Sequence, residues 1–126
     1  TFEDIRVEYT KHQLPDVFQN DMDAPYPTDT PVRHPLLFCL PIYRSGLFAE
    51  DGLNGRIHDI TFRNIRILTD APEVPVPESA FLGLDAEHTV ERICIAGVTY
   101  NGKRLATREE LRLHINEFVR DVTILP

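Results

Sequence analysis

The chain has 126 residues, 42% of them hydrophobic and 26% charged, a balance typical of one folded domain and not of a disordered chain. Twenty acidic residues against thirteen lysines and arginines give a formal net charge of −7, which argues against a nucleic acid or an anionic membrane as partner. No apolar stretch reaches the ~20 residues of a membrane-spanning helix. Cys39 and Cys94 are too few for a zinc site or a disulfide framework, which leaves two buried thiols or one disulfide.

Short apolar segments typical of strands recur along the chain. In chain order they are residues 2–9, 36–43, 57–67, 80–84, 90–100 and 119–124. Two proline-rich stretches, residues 10–35 and 70–78, predict long irregular loops, because proline interrupts helices and central strands. Thr107 and Glu110 form a capping box, which predicts one short helix near the C-terminus.

Four of these segments can be superimposed on one another. Each carries an apolar residue, two polar residues, Ile or Val, one further residue and a second apolar residue, and the equivalent central positions are Ile5, Ile60, Ile93 and Val122. In the second and third copies, Asn64 and Gly97 interrupt the apolar alternation. Because asparagine and glycine tolerate left-handed backbone, each break predicts a corner between two short strands.

The repeats indicate a fold class. Two short strands and a corner cannot close a core alone, so the repeats predict stacked coils of an all-β solenoid in one domain, residues 1–126. The alternative is an antiparallel β-sandwich, which would carry turn signals every ~8–12 residues. The hairpin dipeptide Asn-Gly occurs only at residues 54–55 and 101–102. Because the chain opens inside strand-like sequence, we expect it to be part of a longer protein.

Four stretches taken in order carry a resemblance to a known family: residues 57–67, 83–93 with its Gly-x-Asp-x-x-His pattern, the Asn-Gly-Lys of 100–104, and the Phe-Val-x-x-Val of 115–122. They resemble the C-terminal coils of right-handed parallel β-helix proteins of the polygalacturonase-like (family 28-type) glycoside hydrolase group. The resemblance covers residues 57–124 well and residues 1–56 loosely. It implies a β-helix fragment of about three coils, from a protein that hydrolyses a polysaccharide such as a pectin-type glycan.

The resemblance assigns no catalytic residue. Hydrolysis in this group uses carboxylates in Asn-Thr-Asp and paired-Asp motifs, accompanied by Gly-His-Gly and Arg-x-Lys motifs. None of these four motifs occurs in the chain. The resemblance implies that the parent protein is a glycosidase. The missing motifs imply that this segment is inactive alone, and we expect it to form the solenoid end and one wall of the substrate groove. We expect no cofactor and no metal site.

Four residues are candidates for contacts with a sugar. Asp85, Glu87 and His88 follow Gly83 as a cluster of carboxylates and an imidazole that could bind hydroxyl groups. Asp85 and His88 could equally hydrogen-bond the backbone of a turn between coils. Arg44 could hold a uronate carboxylate in a bidentate pair, or form a surface ion pair of little consequence.

The expected partners are a polysaccharide or oligosaccharide and, through an uncapped first coil, a second copy of the chain. A stand-alone, non-catalytic module that binds a carbohydrate or a protein is the alternative, and it should have two capped ends. A third hypothesis is a self-contained hydrolase that uses Asp85, Glu87 or Glu50. The acidic charge and the absence of glycosylation sequons fit a bacterial protein, whereas the cellular compartment is not indicated.

Overall fold

The structure, a computed structural model, describes residues 1–9, 37–42, 55–71 and 75–126. These residues form strands, turns and irregular segments and contain no helix, so the all-β prediction is confirmed. In chain order the strands are β1 (Phe2–Tyr9), β2 (Cys39–Pro41), β3 (Ile57–Thr69), β4 (Ser79–Leu82), β5 (Val90–Tyr100), β6 (Lys103–Leu105), β7 (Leu113–Ile115) and β8 (Val119–Leu125).

The strands form two sheets, and the chain passes repeatedly from one to the other. In the larger sheet β1, β3, β5 and β8 pair in parallel, and β6 joins β5 as an antiparallel hairpin. In the smaller sheet β2, β4 and β7 also pair in parallel. Each of these three strands lies in a connection between parallel strands of the larger sheet, which is where a parallel pair requires a long crossover.

The predicted equivalence of the repeats is confirmed for three strands and wrong for the first. Ile60 pairs with Ile93, and Ile93 pairs with Val122, as the superposition requires. Ile5, however, pairs with Ile65 instead of Ile60. The repeated pattern occurs twice within β3, and the structure uses the second copy. That register stacks the ring of Phe2 on Phe62, with 5.4 Å between ring centroids.

Left-handed residues interrupt the pairing at two positions in the larger sheet. The expected left-handed backbone is found at Asn64, with φ 53°, and Gly97, with φ 67°, but β3 and β5 each continue through this residue as one strand, so the predicted division into two short strands is wrong. Asp4 of β1 has φ 57° at the same level. A second column was not predicted and consists of Asp59, Arg92 and Asp121, with φ between 53° and 57°. A left-handed backbone costs a residue other than glycine roughly 1–2 kcal/mol, so these bends are imposed by the stacking of the strands.

The predicted short helix near the C-terminus is wrong, although its capping box forms. The amide of Glu110 donates to Oγ1 of Thr107 at 3.1 Å, and Oε2 of Glu110 accepts from the amide of Thr107 at 3.2 Å. The backbone of Arg112 is left-handed, with φ 47°, and the amide of Leu113 returns to the carbonyl of Arg108 at 3.0 Å. The helical conformation therefore ends after a single turn, because the residues that cap its C-terminal end directly follow those that cap its N-terminal end.

The core lies between the two sheets. It is built from the inward side chains of the larger sheet, closed by Phe81, Leu111 and Leu113, and its fully buried aliphatic members include Ile65, Ile67, Val90, Ile93, Ile95 and Val98. Cys39 is exposed and Cys94 is half-buried, and both are free. A disulfide is therefore excluded, and the expectation of two buried thiols is wrong for Cys39.

Candidate functional site

The turn between β4 and β5 brings three of the predicted site residues together. Oδ1 of Asp85 accepts hydrogen bonds from the amides of Glu87 and His88, at 2.9 and 2.8 Å. Nδ1 of His88 lies 2.7 Å from the same oxygen and donates to it, because a carboxylate only accepts. One oxygen of Asp85 thus accepts three hydrogen bonds from its own turn, which is the structural role foreseen as the alternative to sugar binding.

The electrostatics of this turn agree with that role. Partial desolvation raises the pKa of Asp85, but the hydrogen bonds from the His88 ring and from the two amides outweigh it, and the pKa lies below its usual range. The carboxylate is therefore ionised and bound within the turn. Glu87 is exposed, and its carbonyl accepts from Nε of Arg56 at 2.9 Å. Arg44, the fourth predicted residue, lies outside the described residues.

A different group of polar side chains lines an open depression of about 380 Å³ beside the smaller sheet. Oε1 of Glu78 accepts from Nη2 of Arg112 at 3.1 Å and from Nε2 of His114 at 3.2 Å. The Glu78 side chain is only 11% exposed, whereas those of Arg112 and His114 are 36% and 42% exposed. Arg108, Glu109 and Leu113 complete the lining.

The strand register explains why these side chains meet. Ser79 of β4 pairs with Leu113 of β7, so Glu78 and Arg112, each one residue earlier, lie side by side. Arg112 is also the left-handed residue that ends the single turn. Its Nη1 donates to the carbonyl of Val76 at 2.8 Å. Nε of Arg108 donates to the carbonyl of Leu113 at 3.0 Å, which holds the turn against the strand that follows it.

The depression has the chemistry of a small polar binding site. Its volume falls within the ~300–1,000 Å³ of typical ligand sites. Guanidinium groups and an imidazole offer donors to hydroxyl or carboxylate oxygens, and carboxylates offer acceptors to hydroxyl hydrogens. Because Glu78 positions both Arg112 and His114, the donor geometry is set by the protein before any ligand binds.

A second charged cluster, on the outer surface of the larger sheet, is internally matched. Nε and Nη2 of Arg92 donate to the two oxygens of Asp59 at 2.7 and 2.9 Å, and its Nη1 donates to Glu91. Nδ1 of His58 contacts Asp59 as well. The hydrogen bonds from Arg92 and His58 hold the pKa of Asp59 far below its usual range. These charges satisfy one another, so the cluster has no evident role in binding.

Within the described parts of the chain, no group of three His, Cys, Asp or Glu side chains could hold a metal ion. The same residues include no helix that could cross a membrane. The sequence around Asp21, Asp23 and Asp29 lacks the glycine of an EF-hand, and these three residues lie outside the described residues.

Sequence reasoning missed Glu78, Arg112 and His114. Glu78 ends a proline-rich stretch, Arg112 falls within the predicted short helix, and His114 is one of five scattered histidines. The signal that could have found them is the pairing of the short apolar runs around Phe81 and Leu113. That pairing would have placed the residues before both runs next to each other.

Comparison with known proteins adds no relative. No protein-family model, curated protein or solved structure matches the chain.

Proposed function

We propose that the chain forms coils of a right-handed parallel β-helix from a polygalacturonase-like glycoside hydrolase, and that it binds a polysaccharide or oligosaccharide without cleaving it. The fold proposal is supported by the alternation of the chain between two sheets and by the parallel pairing of strands at equivalent repeat positions. An antiparallel sandwich would join neighbouring strands in antiparallel pairs, and among the described strands only β5 and β6 pair in that way.

The observation that carries the binding role is the depression around Glu78, Arg112 and His114. Arginine and histidine donors beside carboxylate acceptors suit a sugar, whose hydroxyl groups both donate and accept. Arg112 or Arg108 can also bind a uronate carboxylate through a guanidinium fork. Of the residues first considered, exposed Glu87 is still a candidate contact, whereas Asp85 and His88 are bonded within their turn.

Calorimetric titration with acidic and neutral oligosaccharides tests this role. We expect Arg112→Gln to weaken binding about tenfold, because it removes a charged hydrogen-bond donor from the depression. Arg120→Gln is the matched control, since Arg120 is exposed and lies on β8, outside the depression. Equal affinity for the two variants, or no binding of any oligosaccharide, would exclude the depression as the site. Loss of binding by Glu109→Gln supports the result if Arg112→Gln unfolds.

The same experiment bears on catalysis. The chain carries none of the four catalytic motifs of the group, so we expect no release of reducing sugar from any glycan that binds. The intact mass of the protein produced by its native cells distinguishes a segment of a larger enzyme from a stand-alone binding module. A longer product with further coils fits the groove wall of an enzyme, and a product of this length fits the stand-alone binding module.

We also propose that a second copy of the chain covers the outer edge of β1. Among the described strands β1 lies at the edge of the larger sheet, and its apolar side chains Phe2 and Ile5 are 51% and 38% exposed. An exposed apolar edge with unpaired backbone groups favours pairing with another strand. Sedimentation over a concentration series should detect the association, and Ile5→Lys should abolish it while Arg63→Lys leaves it intact. A chain that stays monomeric throughout the series contradicts the proposal.

A further inference from the structure

Three arginines form one row across the outer face of the larger sheet. Arg6 of β1 pairs with Arg66 of β3, Arg66 pairs with Thr99 of β5, and Thr99 pairs with Arg104 of β6. Directly paired residues project from the same face of a sheet, and all three arginines are exposed. Arg6, Arg66, Thr99 and Arg104 are called the arginine row below.

The row is assembled from distant parts of the sequence. The Asn101-Gly102 turn, with φ 45° and 84°, folds β6 back onto β5 and so places Arg104 beside Thr99. Ile65 and Ile67, which flank Arg66, are buried, and this fixes the outward direction of Arg66. The arginine spacing therefore follows from backbone pairing and not from flexible loops.

The charges of the arginine row are poorly matched by the protein. Neighbouring strands lie about 4.8 Å apart, and like charges directly opposite each other destabilise a sheet. Arg6 has an ion pair with Glu8, but Arg66 and Arg104 have no carboxylate partner among the described residues. This is unusual in a chain with a net charge of −7 and contrasts with Arg92, which binds two carboxylates.

We infer that the arginine row binds an anionic polysaccharide laid across the strands, with its sulfate or carboxylate groups on the guanidinium groups. Arginine forks match oxyanions of both kinds. The Thr99 hydroxyl, between Arg66 and Arg104, can bond a sugar hydroxyl. This surface is separate from the depression and its role does not rest on that of the depression.

Other anionic polymers fit less well. An extended peptide presents side chains on one face every ~6.6 Å, which is out of step with strands spaced about 4.8 Å apart. A pyranose unit is about as long as the spacing between two strands. A single-stranded nucleic acid is bound through aromatic side chains on which its bases stack, and the arginine row contains none. The row is therefore assigned to a glycan.

The inference is tested by measuring the affinity of the chain for immobilised heparin and for polygalacturonate, at low and at physiological salt. Comparison of the two ligands shows whether the arginine row prefers sulfate or carboxylate groups. We expect Arg66→Gln and Arg104→Gln each to weaken binding about tenfold, and the double variant about a hundredfold. Arg120→Gln, the matched control, should leave binding within about twofold, because a lone exposed charge contributes little. Glu8→Gln should strengthen binding, since it releases Arg6 from its ion pair.

Four outcomes would overturn the inference: a double variant that binds like Arg120→Gln, equal binding of neutral dextran, tighter binding of polyglutamate, or tighter binding of single-stranded DNA. Arg112→Gln, which changes only the depression, distinguishes binding at the arginine row from binding at the depression. If it leaves heparin and polygalacturonate binding unchanged while the double variant abolishes it, the row holds whether or not the depression binds a sugar. If only Arg112→Gln abolishes binding, the row is wrong and the depression is the anion site.

Discussion

A carboxylate and a histidine meet at the turn after β4 and again at the turn before β7, but their contacts differ. In the first, Asp85 is bonded to His88 and to two backbone amides of the same turn. At the second, Glu78, which precedes β4, accepts from Arg112 at the end of the turn and from His114 of β7, and those two side chains border an open depression. Whether a carboxylate beside a histidine marks a binding site therefore depends on which groups the two side chains contact.

The two turns also differ in how tightly the backbone is packed. Gly83, at the start of the first turn, lies against Phe118, just before β8, and the side-chain amide of Asn116 bonds the nitrogen and oxygen of Gly83 at 3.1 and 2.8 Å. The second turn is closed by its own capping bonds and leaves space outside it. The first turn thus holds the chain before β8 against the end of β4, and the second turn borders the depression.

Among the variants that test this difference between the two turns, Gly83→Ala is expected to have the largest effect on stability. A Cβ atom on Gly83 would lie 2.5 Å from the carbonyl oxygen and 2.6 Å from Cβ of Phe118. Both atoms are held by the backbone, so the strands must separate. We expect the free energy of unfolding, measured by urea denaturation, to fall by about 1–3 kcal/mol.

Gly55→Ala is the matched control for Gly83→Ala, because nothing lies within 4 Å of a Cβ atom on Gly55. We expect this change to alter the free energy of unfolding by less than about 0.5 kcal/mol. If both variants unfold at the same urea concentration, the close packing of Gly83 on Phe118 does not contribute to stability and the contrast between the two turns is lost.

The strand content of the fold was predictable because the repeats follow the two-residue period of a buried strand face. The register of β3 on β5 was predictable because both strands carry the apolar pattern over their whole length, which aligns Ile60 with Ile93. β8 carries the pattern once and pairs, as superimposed, Val122 with Ile93. The register of β1 was not predictable, because β3 offers the pattern twice. Tertiary contacts distinguish the two choices: Phe2 stacks on Phe62, and Arg63 and Asn64 donate to Glu3 and Asp4.

The depression could not be predicted from local sequence. The capping box of Thr107 and Glu110 was found correctly, but it does not reveal that Arg112 ends the turn in a left-handed conformation. Glu78 and Arg112 meet because β4, with four residues, pairs with β7, with three. Strands this short do not show a hydrophobic periodicity that would identify them in the sequence. The cluster at Asp85 was visible because its members are adjacent in sequence, which is also why they bond one another.

A smaller effect, on the pH dependence of stability, is expected from Asp85→Asn. The hydrogen bonds of the turn lower the pKa of Asp85 in the folded protein relative to about 3.9 in the unfolded chain. A carboxyl group with a lowered pKa stabilises the fold above its unfolded pKa, and that contribution is lost as the pH falls through the folded pKa. The wild type should therefore lose stability below about pH 5.

Asp85→Asn should lower the melting temperature at pH 7 and should respond less to acid, so that the two melting curves converge as the pH falls toward the folded pKa. Glu87→Gln is the control, because it removes a negative charge from the same turn while Glu87 supplies only its backbone to the Asp85 bonds. Neither change should alter binding at the depression. If Glu87→Gln reproduces the effect of Asp85→Asn, overall charge and not the hydrogen bonding of Asp85 determines the acid sensitivity of this turn.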